Sequence, residues 1–511
     1  MSVYKNAALC TSVLLTSMLF SHAVHANKGK RLKFNELTID AQVKLTHPVF
    51  AADLIPEQGK ELVVFGVDEK EQRWLMIYQF NEENQQYSIL KKHSLPNNLH
   101  AFDITQPYQG QLQKLYFLTS NKLYQYQASE QPLAPALREV SDISTLSLND
   151  KPQYMRRSRF TKDLNKDQLD DIILSDFSET HLLIAQQDNS FKQESLPIKP
   201  QIRSGNDSVT YSETKLYFAD INFDKQPDVI RVGEGELEIY LQTEQGKFDT
   251  EPRYQKIDSE ISGIDWWNKR GADGESLDQS NLVYKKIEEL KDINHDGITD
   301  MVVRYTQSSG VLDRANDYEV YLGENRQGNL VFPDKPNSVI SADGTLTGLE
   351  FVDIDNDEKS EVMLAGFDIG LTQIIGALMS GSIDQDVHVF KMDEQGRFDK
   401  RRKASKETEL SFSLSSGTSG SPVVELADLN GDGFKDLLLS DGDDALKAYL
   451  GDNNTKMFAR SNKKYKITLP KEGSMLTTED INGDGKADIL IKYGRQDDEE
   501  LHNQFKVLLA E

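Results

Sequence analysis

An all-β repeat fold is predicted by three observations. An acidic motif recurs six times, two strand-like segments follow every copy, and the two ends of the chain complement each other. The motif is D-x-[DN]-x-D-x-x-x-[DE], beginning at Asp163, Asp220, Asp292, Asp353, Asp428 and Asp480. The separations are 57, 72, 61, 75 and 52 residues, and near-regular self-similarity of this kind marks a repeat architecture.

The flanks repeat with the motif. Each copy runs into an apolar, β-rich segment such as "DIILSD" (171–176), "DMVVRY" (300–305) or "DILIKY" (488–493). A second such segment follows, for example "LEIYLQT" or "FKVLLAE", and in five of the six copies a polar turn and a Phe come next. Short strands bounded by Gly, Asn and Asp turns at regular spacing belong to an all-β fold. Two weaker copies, 51–66 and 101–120, keep the strand, loop, strand order but retain only Asp53 and Asp103 of the acidic positions.

That makes eight units. Residues 1–26 read as a cleavable leader, with Lys5, an apolar run over 6–20 and small residues before Ala26. The remaining 485 residues (511 less 26) then give about 61 per unit. Four short strands fit that length, which predicts a β-propeller of eight blades, with seven as the alternative if the two weak copies form one distorted blade. The last unit lacks an outer strand before Glu511, and the segment 32–45 can supply it. Closing the ring in this way removes the sheet edges that would otherwise aggregate. The expected organisation is a leader over 1–26 and one propeller domain over 27–511, with insertions at 262–281, 367–385 and 411–422.

Composition narrows the function. The formal charge of −25 becomes −26 once the leader takes Lys5 away. So acidic a chain repels nucleic acid and anionic lipid and attracts cations. The single cysteine, Cys10, lies in the leader, so the mature chain holds together without disulfides. The mature chain offers no membrane span; its longest apolar stretch, 369–381, is read as a short buried or capping helix.

The acidic motif is not an EF-hand. That loop closes with a Glu at position 12 between helices, whereas the twelfth residues counted from Asp292, Asp428 and Asp480 are Val303, Leu439 and Ile491. All are apolar and lie in expected strands. Carboxylates and amides at positions 1, 3 and 5 still converge on a hard cation, position 7 offers a carbonyl, and position 9 takes over the closing role. Calcium accepts such adaptable oxygen cages more readily than magnesium. The competing possibility is that these Asp and Asn residues merely cap their own turns.

The strings "DLNGDGFKDLLLS" and "DINGDGKADILIK" resemble the FG-GAP/VCBS repeats of bacterial secreted proteins, related to the integrin α-subunit propeller. The resemblance covers roughly 155–511, and more weakly the two early units. It implies one Ca2+ in each loop between the first and second strands of a blade. Carried over by position, the ligands are Asp163, Asn165, Asp167 and Asp171; Asp220, Asn222, Asp224 and Asp228; Asp292, Asn294, Asp296 and Asp300. The remaining three sets are Asp353, Asp355, Asp357 and Glu361; Asp428, Asn430, Asp432 and Asp436; Asp480, Asn482, Asp484 and Asp488. Position 6 is Gly297, Gly433 and Gly485 in three loops but Gln168, Lys225 and Glu358 in the others. If that position needs positive φ, those three are strained; Pro227 is a further departure.

Function is expected on the opposite face. The stretches 262–281, 306–317, 367–385 and 411–422 fall on consecutive blades at connections away from the acidic loops. Long loops of this kind commonly carry function. Trp266 and Trp267, beside Lys269 and Arg270, are the candidate ligand-binding residues, able to stack on a sugar or anchor a protein; the alternative is that they plug the channel or pack under the loop. His295, at position 4 of an acidic loop, is expected to face solvent. No H-E-x-x-H, G-x-S-x-G or G-x-x-x-x-G-K-[ST] string occurs. The expected function is a calcium-stabilised protein- or glycan-binding scaffold, periplasmic or secreted. The alternatives are a polysaccharide-active enzyme and a module of a larger surface complex.

Overall fold

The computed structural model describes residues 32–56, 59–128, 135–204, 208–243, 246–258, 260–310, 313–342, 345–367, 381–413, 418–453 and 456–511. The leader, nearly all of 369–381 and the centre of the 411–422 insertion lie outside the described residues. The described chain forms eight blades in a ring. They span 44–95, 101–142, 161–196, 216–256, 282–340, 345–413 and 424–466, and the eighth joins 476–510 to the N-terminal strand. Eight is therefore the blade number.

Ring closure follows from pairing at the chain ends. Phe34–Asp40 lies antiparallel on Gln504–Ala510 as the outer strand of the eighth blade, in register from Phe34↔Ala510 to Asp40↔Gln504. Sequence and packing agree there: Leu37 and Ile39 alternate inward and join a cluster shared by the eighth and first blades.

The core is not one mass. It is a series of apolar layers, each straddling two neighbouring blades. Val229, Tyr240 and Phe248 of the fourth blade meet Leu182 and Ile184 of the third. Likewise Val302 and Val320 of the fifth meet Val362 and Leu364 of the sixth. A second strand sandwiched between two blades is buried on both faces, which explains the unbroken apolar runs "DLLLS" and "DILIK" in place of strict alternation.

The stretch 306–317 is not a loop. Asp300–Gly310 and Asp313–Tyr321 run through it as a long hairpin, with Thr306↔Asn316 and Gly310↔Asp313 in register. Its Ser, Gly and Asp residues carry little strand signal, but a ladder already started by "DMVVRY" extends through backbone bonds alone.

Backbone strain falls where the sequence suggested. Position 6 has positive φ in all six loops: 84°, 89° and 82° at Gly297, Gly433 and Gly485, and 66°, 74° and 67° at Gln168, Lys225 and Glu358. A side chain in this region costs roughly 1–2 kcal/mol, part of which glycine returns through its freer unfolded chain. Substituting Gln168→Gly, Lys225→Gly or Glu358→Gly is expected to stabilise by about 0.5–1 kcal/mol each. Urea denaturation checks it; a loss of stability in all three would contradict it.

The first two blades carry a buried histidine with a pH consequence. His47 is packed against the Phe65, Phe102 and Tyr154 rings. Its Nε2 lies 2.6 Å from the Met155 carbonyl and its Nδ1 2.8 Å from Thr46 Oγ1. Burial lowers its pKa from 6.5 to about 4, and the charges of Lys492, Arg157 and Arg73 push the same way. The unfolded chain therefore takes up a proton near pH 6.5 that the folded chain refuses until about 4. Stability from this group is full above 6.5 and falls as pH drops through that window, by up to about 3 kcal/mol. Replacing it, His47→Gln, is expected to flatten the acid limb of stability against pH by that amount; an identical limb would contradict the account.

Candidate functional site

The six acidic loops share one bonding pattern. The carboxylate at position 1 accepts the amides of positions 5 and 6, as in Asp167 N to Asp163 Oδ1 (3.2 Å) and Gln168 N to Asp163 Oδ2 (2.9 Å). Position 5 accepts from position 7, Leu169 N to Asp167 Oδ1 (2.8 Å). The same bonds recur from Asp220, Asp292, Asp353, Asp428 and Asp480. Pro227 leaves the pattern of its loop intact. These turns fold the side-chain oxygens of positions 1 and 5, and in five loops that of position 3, back over one short stretch of backbone. The donor set is oxygen only and strongly anionic, which suits a hard cation.

Position 9 is built differently. Asp171, Asp228, Asp300, Glu361, Asp436 and Asp488 are each fully buried. In five blades one oxygen accepts the amide of loop position 2 and the other an amide at the end of the third strand. Asp171 takes Leu164 N (2.9 Å) and Ala185 N (2.7 Å), and Asp488 takes Ile481 N (3.2 Å) and Ala510 N (2.8 Å). The carboxylate thus clips its loop to the body of the blade. Burial raises the pKa of Asp171 and Asp436 to about 7 and of Asp228 and Asp488 to about 6.

The first blade keeps this clip, which the sequence reading missed. Glu61, buried and eight residues after Asp53, accepts Leu54 N at 2.8 Å. Lining up "DLIPEQGKE" by its last residue would have found it. In the second blade Asp103 instead reaches the next blade, accepting Phe160 N (2.7 Å) and Thr161 N (2.8 Å). His295 is exposed, as its place in the loop suggests, and its Nε2 also lies 3.2 Å from Ser360 Oγ of the following loop. Similar links join other neighbours, such as Lys435 N to Ile354 O (2.9 Å) and Ala487 N to Asp428 O (2.6 Å).

On the opposite face a cavity of about 350 Å³ opens between the fifth and sixth blades. Trp266 and Trp267 border it from a short helical turn, their rings perpendicular at 5.4 Å. The pair divides the two roles open to it. Trp266 is buried with Leu282 and Tyr284, whereas Trp267 is 50% exposed. Arg304 lies over the Trp267 ring at 5.5 Å and Arg314 over the Trp266 ring at 5.7 Å. Arg304 is held by Asp265 and by Glu288, 3.1 Å from its Nε. Asn316, also on the wall, is buried; its Nδ2 donates to the Leu346 carbonyl at 3.3 Å, and its Oδ1 has no hydrogen-bond partner.

Lys269 and Arg270 stand away from this wall. Lys269 bonds to Glu234 and covers the Tyr284 ring at 5.2 Å, and Arg270 donates to Ser276. Sequence reasoning picked out the tryptophans by their rarity. It missed Arg314 and Asn316 because they enter from the hairpin it read as a loop, and Arg304 because nothing in the strand "DMVVRY" marks it as facing a cavity.

One histidine has a partner set that resembles a hydrolytic relay. His181 lies 2.9 Å from Ser195 Oγ and 3.4 Å from Asp176. The His–Ser pair spans directly opposed residues of the third and fourth strands, and it recurs in the sixth blade as His388 and Ser405 at 3.1 Å. A pair repeated at the same register belongs to the blade design.

Residues 428–491 match the FG-GAP-like repeat. With eight blades in a ring, the chain fits an FG-GAP/VCBS repeat propeller. No curated protein matches the sequence. Among solved structures, an Agrocybe aegerita lectin specific for non-reducing terminal N-acetylglucosamine is 13% identical, over 86% of this chain and 96% of that one, with a TM-score of 0.44. A putative 6-phosphogluconolactonase from Bacteroides fragilis is 12% identical, over 84% and 96%, at 0.31. The V. cholerae biofilm matrix protein is 10% identical, over 80% and 88%, at 0.28. These values are too low to carry a ligand or a reaction across. No described helix is long and apolar enough to cross a membrane.

Proposed function

We propose that this chain is a binding scaffold whose two faces divide the work. The acidic loops hold Ca2+ and stiffen the ring, and the cleft beside Trp267 takes a carbohydrate unit. Calcium, when bound, supplies charge neutralisation to loops that each concentrate at least three carboxylates. Protein residues do the rest: positions 1 and 5 shape the loop and position 9 fixes it to the blade.

One observation carries the carbohydrate reading: a half-exposed tryptophan stands on the same cavity wall as a buried, unpartnered amide oxygen. A sugar ring offers both complements, an apolar C–H face for the indole and hydroxyl donors for Asn316 Oδ1. An unpaired buried acceptor costs roughly 1–3 kcal/mol, so a ligand hydroxyl that reaches it gains that much discrimination. The volume is at the lower end of ligand cavities, enough for one or two sugar units. A protein partner remains the second reading because Trp267 with Arg304 also forms the kind of patch that anchors interfaces. A leader over 1–26 and the typically extracellular setting of FG-GAP repeats support a periplasmic or secreted location.

A glycan array probed with wild type and Trp267→Ala in calcium tests the reading. Wild type is expected to bind a restricted set of glycans, and the variant to lose about 10-fold or more. If wild type binds no glycan, yet captures a protein that Trp267→Ala releases, the carbohydrate reading fails and the protein reading replaces it.

A further inference from the structure

The acidic loop of the sixth blade, begun by Asp353, departs from its five siblings at two places that answer each other. Position 3 is Asn165, Asn222, Asn294, Asn430 and Asn482 in five loops, but Asp355 in the sixth. The other place is at the end of the third strand. The residue just before the amide that meets the position-9 carboxylate is Ile184, Leu241, Leu322, Leu450 and Leu509 in the five. The matching bridges Gln242↔Phe248, Met392↔Phe398 and Gly451↔Phe458 fix the alignment, and place Lys391 there in the sixth. An apolar residue has become a cation where an amide has become a carboxylate.

The two side chains meet. Lys391 Nζ bonds to Asp355 Oδ2 and lies 2.9 Å from Asp357 Oδ2. Asp355 is buried, and its Oδ1 lacks a hydrogen-bond partner, as does Oε1 of the buried Glu361. In the other five loops the position-3 oxygen accepts the position-5 amide, at 2.9–3.1 Å. Here that side chain has turned toward the ammonium instead. Asp353, Asp355 and Glu361 bring carboxylate oxygens within 4.8 Å of one another. At positions 1, 3, 5 and 9 the five sibling loops carry three carboxylates each. The loop of the sixth blade carries four there, and Lys391 restores the same net charge.

We propose that Lys391 is the resident cation of the sixth blade's acidic loop: its ammonium takes the place a divalent ion takes in the other five, so this blade is locked without metal. The six acidic loops then hold at most five divalent ions, and the carboxylates of Asp353, Asp355 and Glu361 form a latent site that removal of Lys391 exposes. The count rests on the calcium reading of the five siblings; the Lys391 lock does not.

Two measurements separate those claims. Bound calcium is counted by native mass spectrometry for wild type and Lys391→Leu. The variant is expected to bind one more equivalent; an equal count above zero overturns the proposal. In chelator, urea denaturation follows Lys391→Leu, Asp355→Asn and the double variant. Lys391→Leu alone is expected to lose stability, and Asp355→Asn added to it to recover most of the loss, because the loop then has its siblings' residues at both places. Strictly additive losses overturn the proposal. If neither protein binds calcium at all, the calcium reading fails, and the coupling in chelator alone decides the lock.

Discussion

A chain begun at Val43, lacking the closing strand, is expected to lose about 6 kcal/mol or more and to leave the monomeric state. Phe34, Leu37 and Ile39 are half-buried against the ring, and burying each is worth roughly 2 kcal/mol before any backbone bond is counted. Seven residues pair along Gln504–Ala510, and without them that strand becomes a long unpaired edge on an apolar blade, a template for aggregation. The loss approaches the whole stability of a typical fold. Size-exclusion chromatography and urea denaturation read the outcome. A monomer with an unchanged midpoint would show that the ring closes elsewhere.

Chelation is expected to give the second large effect. A loop with a dissociation constant near 0.1 mM, in about 1 mM calcium, contributes roughly 1.4 kcal/mol by mass action. Five such loops sum to about 7 kcal/mol, a fall in melting temperature on the order of 10 °C for a ring of this size. Magnesium is expected to restore less than calcium, since these short turns do not offer a rigid octahedron. A melt that is the same in calcium and in excess chelator would remove the metal from the account and leave the loops as self-capped turns.

Much of this architecture could be read in the residues, and the reason is physical. A motif that sets a loop, a clip and a two-faced strand leaves its signature in every blade, so "DINGDGKADILIK" specifies the start of a blade almost unaided. The closing strand was legible because the last unit stops one strand short. Elements that depend on pairing rather than side-chain type were not. The hairpin through Thr306 and Asn316 reads as polar loop, and the extra hairpin Gln201–Ser204 with Val209–Ser212 carries no repeat signal. The cleft was half visible: Trp266 and Trp267 could be named, but which of them is buried depends on Leu282 and Tyr284 beneath the loop. The Lys391 contact was beyond reach, because Asp355 and Lys391 are 36 residues apart and meet only when the third strand returns to the loop.

The division of work between faces is most directly tested by measuring glycan affinity at 20 °C in calcium and in chelator, with circular dichroism confirming that the ring stays folded in both. The account predicts the same dissociation constant within a factor of about 3, because the ions support the scaffold from the far face and touch no ligand. A loss of more than about 10-fold in a folded, chelated ring, worth about 1.4 kcal/mol, would contradict it and place the metal in the binding site itself.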